Sequence, residues 1–206
     1  IKGQYYYLYM VMDIYSRKIV GWQVHDCESS AHAADLIEDI ARREKIDKNQ
    51  LVIHSDNGSP MKGATLRAKM IDLEISPSYS RPRVSNDNPY SESLFKTVKY
   101  HYTFPENPFT CLKKARAWVE KFVHWYNDEH QHSAIKFVTP NQRHNGLDRD
   151  ILENRKKVIE QARKNHPERW NGRKTRNLTP VGAVYLNPGK DENNATENKS
   201  QLKNAA

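Results

Sequence analysis

Cysteine is nearly absent from this 206-residue chain: Cys27 and Cys111 are the two present, in unlike surroundings and with no CxxC spacing. Neither a disulfide framework nor a zinc site is indicated, and a reducing compartment is expected. Long apolar runs are missing too. The longest, Tyr5 to Met12, is rich in tyrosine and far shorter than the roughly 20 residues that span a bilayer, so no membrane-crossing helix is expected. It also lacks the basic start and small-residue cleavage site of a secretion signal. No internal repeat stands out at any period.

What the chain does have is positive charge, unevenly spread. The net charge is +8; residues 1–150 hold 21 basic and 19 acidic side chains, whereas residues 151–206 hold 12 and 6. A cationic tail on a near-neutral core suits a phosphate-backbone partner, because neutralised phosphates release their counterions. A solvated, partly disordered tail would have the same composition. The length fits one domain with a small appendage.

Gln4 to Tyr15 reads as a strand, Asp13 to Lys18 as a polar turn, and Ile19 to His25 as a second strand returning antiparallel to the first. A helix capped by Ser30 follows, with Ala33, Leu36, Ile37, Ile40 and Ala41 forming one apolar stripe. Leu51 to Ile53 reads as a short buried strand that runs out through His54, Ser55 and Asp56 into an Asn57-Gly58 turn. Then come a helix over Ala64–Ile71, a brief strand over Ile75–Ser78, a loop over Tyr79–Asn88 and a helix opened by Pro89. The spacing of Leu112, Ala115, Val119, Phe122, Val123 and Tyr126 predicts a long helix over Thr110–Asn127. A further helix is expected over Asp148–Asn165, a small β unit over Trp170–Leu186, and disorder from Gly189 onward. This order of elements predicts an α/β fold with helices against the sheet.

Two acids stand out, Asp56 at a strand end and Glu92 near a helix start, with 35 residues between them. Each has an ordinary reading: an Asp before Asn-Gly forms turns, and a helix Glu is a solvated charge. Magnesium enzymes that act on phosphodiesters hold their ions with two or three such carboxylates, but the position of these two acids alone does not choose between the readings. Glu92, Lys96 and Lys99 share one helix face, leaving Leu94 and Val98 for the core. That face is either a metal ligand beside phosphate contacts or a surface salt bridge. His54, on the opposite side of its strand from Asp56, reads as packing or hydrogen bonding.

Segments 11–22 (VMDIYSRKIVGW), 54–58 (HSDNG) and 85–99 (SNDNPYSESLFKTVK) resemble the integrase-core transposases of bacterial insertion sequences. Tyr126-Asn127, His132-Ser133 and the run Thr139 to Gln142 match the same family's C-terminal motif. The resemblance covers about residues 5–145 and implies an RNase H-like mixed sheet flanked by helices. It also implies a site of three carboxylates holding two Mg2+ (or Mn2+) ions, with Asp56 and Glu92 as the second and third acids. The first acid is expected on a strand ahead of the one near Tyr5. The core would therefore lack its first strand, and a start at Ile1 rather than Met agrees with truncation. Asp13 is expected to be structural, accepting hydrogen bonds in the turn to Ser16 and Arg17.

The resemblance further implies a DNA contact for Lys99. Arg81 and Arg83, on either side of Pro82, with Lys96 and Asn57, complete the candidate DNA-binding set. The domain reading is a catalytic core over 1–147, a basic helix and small β unit over 148–188, and a tail over 189–206. The implied activity is polynucleotidyl transfer, namely cleavage and strand transfer of transposon ends into target DNA. It would be carried out by a homo-oligomer on DNA, at the nucleoid in the bacterial cytoplasm and without a membrane. Two alternatives stay open: an RNase H-type nuclease, and an inactive remnant that only binds DNA or partner subunits. The chain taken alone is expected to be inactive or nearly so.

Overall fold

The computed structural model describes residues 5–82, 84 and 87–186. Its organising unit is a hairpin of β1 (Tyr7–Met12) and β2 (Ile19–His25), antiparallel from Tyr7 opposite His25 to Met12 opposite Ile19. Side chains alternate across a strand, and β1 uses both faces. Leu8, Met10 and Met12 pack with Leu94, Val98, Val119, Phe122 and Tyr126, whereas Tyr9 and Val11 pack with Ala33, Ile37, Leu66 and Met70. Helices therefore cover the hairpin on both sides, which explains why its strands read as nearly continuous apolar runs.

The first of these helices, α1 (Ser30–Arg43), starts one residue differently from expectation. Ser29, not Ser30, is its cap: Ser29 is extended at φ −153° and its side chain accepts the Ala31 N–H. The Tyr9 hydroxyl holds the Ser29 backbone, accepting its N–H at 2.8 Å, and this fixes the entry of the chain. Close packing of α1 on β2 depends on Gly21, where a Cβ would lie 2.4 Å from Ile40 Cδ1 and 3.0 Å from Leu36 Cδ1. Gly21→Ala is accordingly expected to destabilise the fold by about 1–3 kcal/mol through overpacking, read as a lower denaturant midpoint at unchanged slope.

Next come β3 (Val52–Ser55), α2 (Ser59–Lys62), α3 (Ala64–Asp72) and β4 (Ser76–Tyr79), with β4 parallel to β3 in the register Val52–Ser76 to Ser55–Tyr79. Among the described residues the two strand pairs form separate two-stranded sheets. Beyond the loop, α4 (Pro89–Lys99) buries Leu94 and Val98, as its periodicity predicts. The long helix ends earlier than expected: α5 (Leu112–His124) gives way to a π turn over Trp125–Glu129. That turn brings Asn127 to Ile19, whose N–H and C=O it engages at 2.9 and 3.0 Å.

The C-terminal part is α6 (Pro140–His144), opened by a Thr139–Gln142 capping box, and α7 (Asp148–Asn165). Ile135, Val138, Leu152 and Leu178 form its own small core. Here the expected β unit over Trp170–Leu186 is corrected, for these residues form no strand. Within this segment the Val181 carbonyl is held by Arg143, 1% exposed, whose guanidinium donates to Val181 O at 2.8 Å and Tyr15 O at 2.7 Å and pairs with Asp148 at 3.3 Å. The disordered tail expected from Gly189 onward lies outside the described residues.

Candidate active site

Asp56 follows the last residue of β3, and Glu92 stands in the first turn of α4. Both line one open pocket of about 360 Å³, together with Asn57, Ser80, Arg81, Val84 and Asn88. The parallel pairing of β3 with β4 explains the meeting. It sends both strand ends the same way, and the ladder continues through Ser80 N–H to Ser55 O at 3.0 Å. Asn57 adds a cross-link, donating from Nδ2 to Ser80 O at 2.8 Å. His54 braces the β4 side, with Nδ1 3.0 Å from Ser78 Oγ and Nε2 3.3 Å from Ser80 Oγ.

The Asp56 carboxylate accepts the Gly58 N–H at 3.0 Å, and a Cβ at position 58 would lie 3.0 Å from the same oxygen. Glycine there leaves room for the acid. Glu92 is exposed, and among the described residues no hydrogen bond or ion pair engages its carboxylate; in particular, no salt bridge joins it to Lys96. Two carboxylates that keep oxygens free, set among further oxygen donors, suit a hard divalent cation. Among the described residues no cluster of three His, Cys, Asp or Glu side chains is placed to hold a metal.

Composition and periodicity missed the role of Asp87. It is 2% exposed and takes three hydrogen bonds from Arg81: the backbone N–H at 2.7 Å, Nε at 2.9 Å and Nη2 at 2.8 Å. The guanidinium and this backbone N–H hold the Asp87 carboxyl down at about 2. This forked pair clasps the two ends of the 81–87 loop and sets the end of β4 against the start of α4. The sequence showed both residues as members of a polar loop, with five positions between them as the one available hint. Arg83 lies outside the described residues. Lys96 and Lys99 are exposed on α4 and stand outside the pocket lining; Lys99 Nζ is 5.8 Å from the centre of the Tyr100 ring.

Asp13 is placed away from that pocket, in the hairpin turn. Its side chain accepts the Tyr15 N–H at 3.0 Å and the Ser16 hydroxyl at 2.6 Å, while its backbone C=O accepts the Arg17 N–H. Burial works against its charged form, but the Ser16 hydroxyl, the Tyr15 and Ser16 N–H groups and His144 outweigh that and lower its pKa.

Two family models, each described as an integrase core domain, match residues 1–85 and 73–140. The chain carries an integrase core. Its relatives include a putative transposase for IS986/IS6110 of Mycobacterium tuberculosis, 24% identical over 138 residues, covering 65% of this chain and 50% of the relative. The IS904 transposase of Lactococcus lactis is 26% identical over 135 residues, covering 65% and 53%, and transposase InsF for IS3A of Escherichia coli is 27% identical over 137 residues, covering 66% and 47%. The integrase-core chain spans about half the length of these curated relatives.

The fold agrees with the family. A chain of the simian T-cell lymphotropic virus intasome in complex with the PP2A regulatory subunit B56 gamma superimposes at a TM-score of 0.55 with 17% identity, covering 68% of this chain and 49% of that one. The catalytic core domain of BIV integrase does so at 0.50 with 16% identity, covering 69% and 88%. The integrase-core chain is therefore RNase H-like, a mixed α/β fold. No helix among its described residues is long and apolar enough to cross a membrane.

Proposed function

We propose that this chain is the catalytic core of a DNA transposase that cleaves the ends of an insertion sequence and joins them to target DNA. One observation carries the reading: acids separated by 35 residues line the same open pocket, one at a strand end and one on the first turn of a helix. Asp56 and Glu92 would hold Mg2+ or Mn2+, two ions in the complete protein, which when bound supply Lewis-acid activation of the attacking oxygen and stabilisation of the leaving one. Asn57 and Ser80 fix the strand ends beneath the pocket, and Arg81 presents a charged edge at its rim. Water attacks the phosphodiester at the element's end in line and displaces its 3′-oxygen; the 3′-hydroxyl so released then attacks a target phosphodiester in line and displaces that strand's 3′-oxygen. Lys96 and Lys99 on α4, with Arg83, contact the DNA backbone beside the pocket.

The basic stretch from Arg155 to Arg176 adds contact without sequence preference. Joining two ends requires at least two copies on DNA, and the site of action is the bacterial nucleoid. Because residues 1–206 hold two of the three acids that the family site needs, they should cleave little or nothing alone.

The test uses the complete protein with labelled transposon-end duplex and, separately, an RNA·DNA hybrid. Cleavage and joining of the end duplex that depend on Mg2+ or Mn2+ and stop on chelation are expected, with binding that weakens steeply as salt rises. Hydrolysis of the hybrid alone would assign a nuclease instead, and binding without any product a DNA-binding remnant.

A further inference from the structure

A second pocket, of about 210 Å³, lies along the flank of α4 that carries Tyr90, Ser93 and Leu94. Arg17, at the end of the hairpin turn, forms its opposite wall. This arginine is held in three unusual ways. Its backbone sits at φ +69°, a region that non-glycine residues seldom occupy. Its guanidinium carbon lies 4.2 Å from the centre of the Tyr90 ring. Its Nε is buried and has no hydrogen-bond partner among the described residues. An always-charged group with an orphan buried N–H carries a desolvation penalty that an acceptor would relieve.

The rest of the lining supplies donors. His132 accepts the Ala134 N–H on Nδ1 at 3.2 Å, which leaves Nε2 as the N–H donor. Burial, helped by the nearby charges of His130 and Arg17, pushes His132 down to about 4, so the ring stays neutral and keeps that tautomer at ordinary pH. Ser93 adds a hydroxyl, that of Tyr126 being turned to Met12 Sδ at 4.0 Å, and no Asp or Glu is among the lining residues. A concave site with donors, a fixed positive charge and no carboxylate selects an oxyanion.

We propose that this pocket seats one backbone phosphate of the bound DNA, gripped by Arg17 with help from Ser93 and His132. The proposal rests on the DNA-processing reading above. Tyr90 and Ser93 flank Glu92 in sequence, so a phosphate seated there ties the strand to the helix that carries the acid. Arg17 then acts in binding and positioning, one α4 flank away from the carboxylate pocket.

The test is made on the 206-residue chain by following the Arg17 Nε–H signal in nitrogen–proton NMR, assigned by its loss in Arg17→Lys. A duplex oligonucleotide is expected to move this signal, and inorganic phosphate to move it only at far higher concentration. In parallel, Arg17→Gln should weaken oligonucleotide binding about fivefold and lower the slope of log affinity against log salt by about 0.9. Ser93→Ala should weaken binding less and leave that slope unchanged.

Oligonucleotide binding with an unmoved Arg17 signal and an unchanged slope in Arg17→Gln would overturn the phosphate seat while leaving the DNA reading intact. No oligonucleotide binding at low salt would overturn the DNA reading itself. A shift with inorganic phosphate alone would then mark a free-anion site and would also sink the proposal.

Discussion

Asp56→Asn or Glu92→Gln, introduced into the complete protein, is expected to abolish the proposed strand cleavage and joining while DNA binding stays within about twofold of the parent. Each change keeps the size of the side chain and removes the anionic oxygen. Lewis-acid stabilisation of a phosphoryl transition state is worth several kcal/mol, so losing a ligand should lower the rate by on the order of a thousandfold or more. The fold should tolerate both changes, because Asp56 and Glu92 are exposed and neither supports the cores around the hairpin. The assay is single-turnover cleavage of end duplex in Mg2+ and in Mn2+, with binding measured separately by mobility shift. Cleavage retained in either variant would remove that residue from the site.

The Arg81–Asp87 clasp yields the second large expectation, in which the two partners are not equivalent. The Arg81 side chain is 69% exposed and that of Asp87 3%. Arg81→Met thus leaves a hidden carboxylate with one backbone donor from residue 81 in place of a fork, whereas Asp87→Asn leaves a solvated guanidinium that has lost its orientation. Arg81→Met should lower thermal stability by several degrees, because the buried Asp87 carboxylate loses both charge-assisted hydrogen bonds of the guanidinium fork. Asp87→Asn should be better tolerated in folding but should cut cleavage strongly, since the start of α4 is no longer set against the end of β4.

Acid sensitivity separates the two roles. The Asp87 pKa is depressed to about 2 from an ordinary 3.8, so its contribution to stability is fully present above about pH 4 and is lost as pH falls through 2. The parent should show this loss in acid melts, and Asp87→Asn should not. Equal acid sensitivity of the two would show that the pair contributes nothing to folding.

Much of this was legible in the residues because the signals were local. Pro89 marks the helix start, Leu94 and Val98 sit four apart on the buried face, and the alternation in the 19–25 strand gives the hairpin. The pairing of Asp56 with Glu92 needed the family motifs, because nothing in a single stretch says that parallel strands 24 residues apart will bring the two acids to one pocket. What stayed hidden depends on distant partners or on geometry without a residue signature. Arg143 reads as one more basic residue near a helix end, yet its acceptors are at Tyr15 and Val181. The π turn at Trp125 carries no breaker, so the apolar stripe runs through it unmarked. The apolar run over 181–186 promises a strand by composition, but the Val181 and Gly182 carbonyls go to the Arg143 guanidinium instead of a ladder.

That π turn has one further consequence. By engaging both the N–H and the C=O of Ile19, the Asn127 amide imitates what a neighbouring strand would offer at that point. Exposed strand borders invite other polypeptides to dock on them and seed aggregates. A single side chain, aimed by one extra residue in a helical turn, thus plugs the hairpin's border at Ile19 against intruding chains.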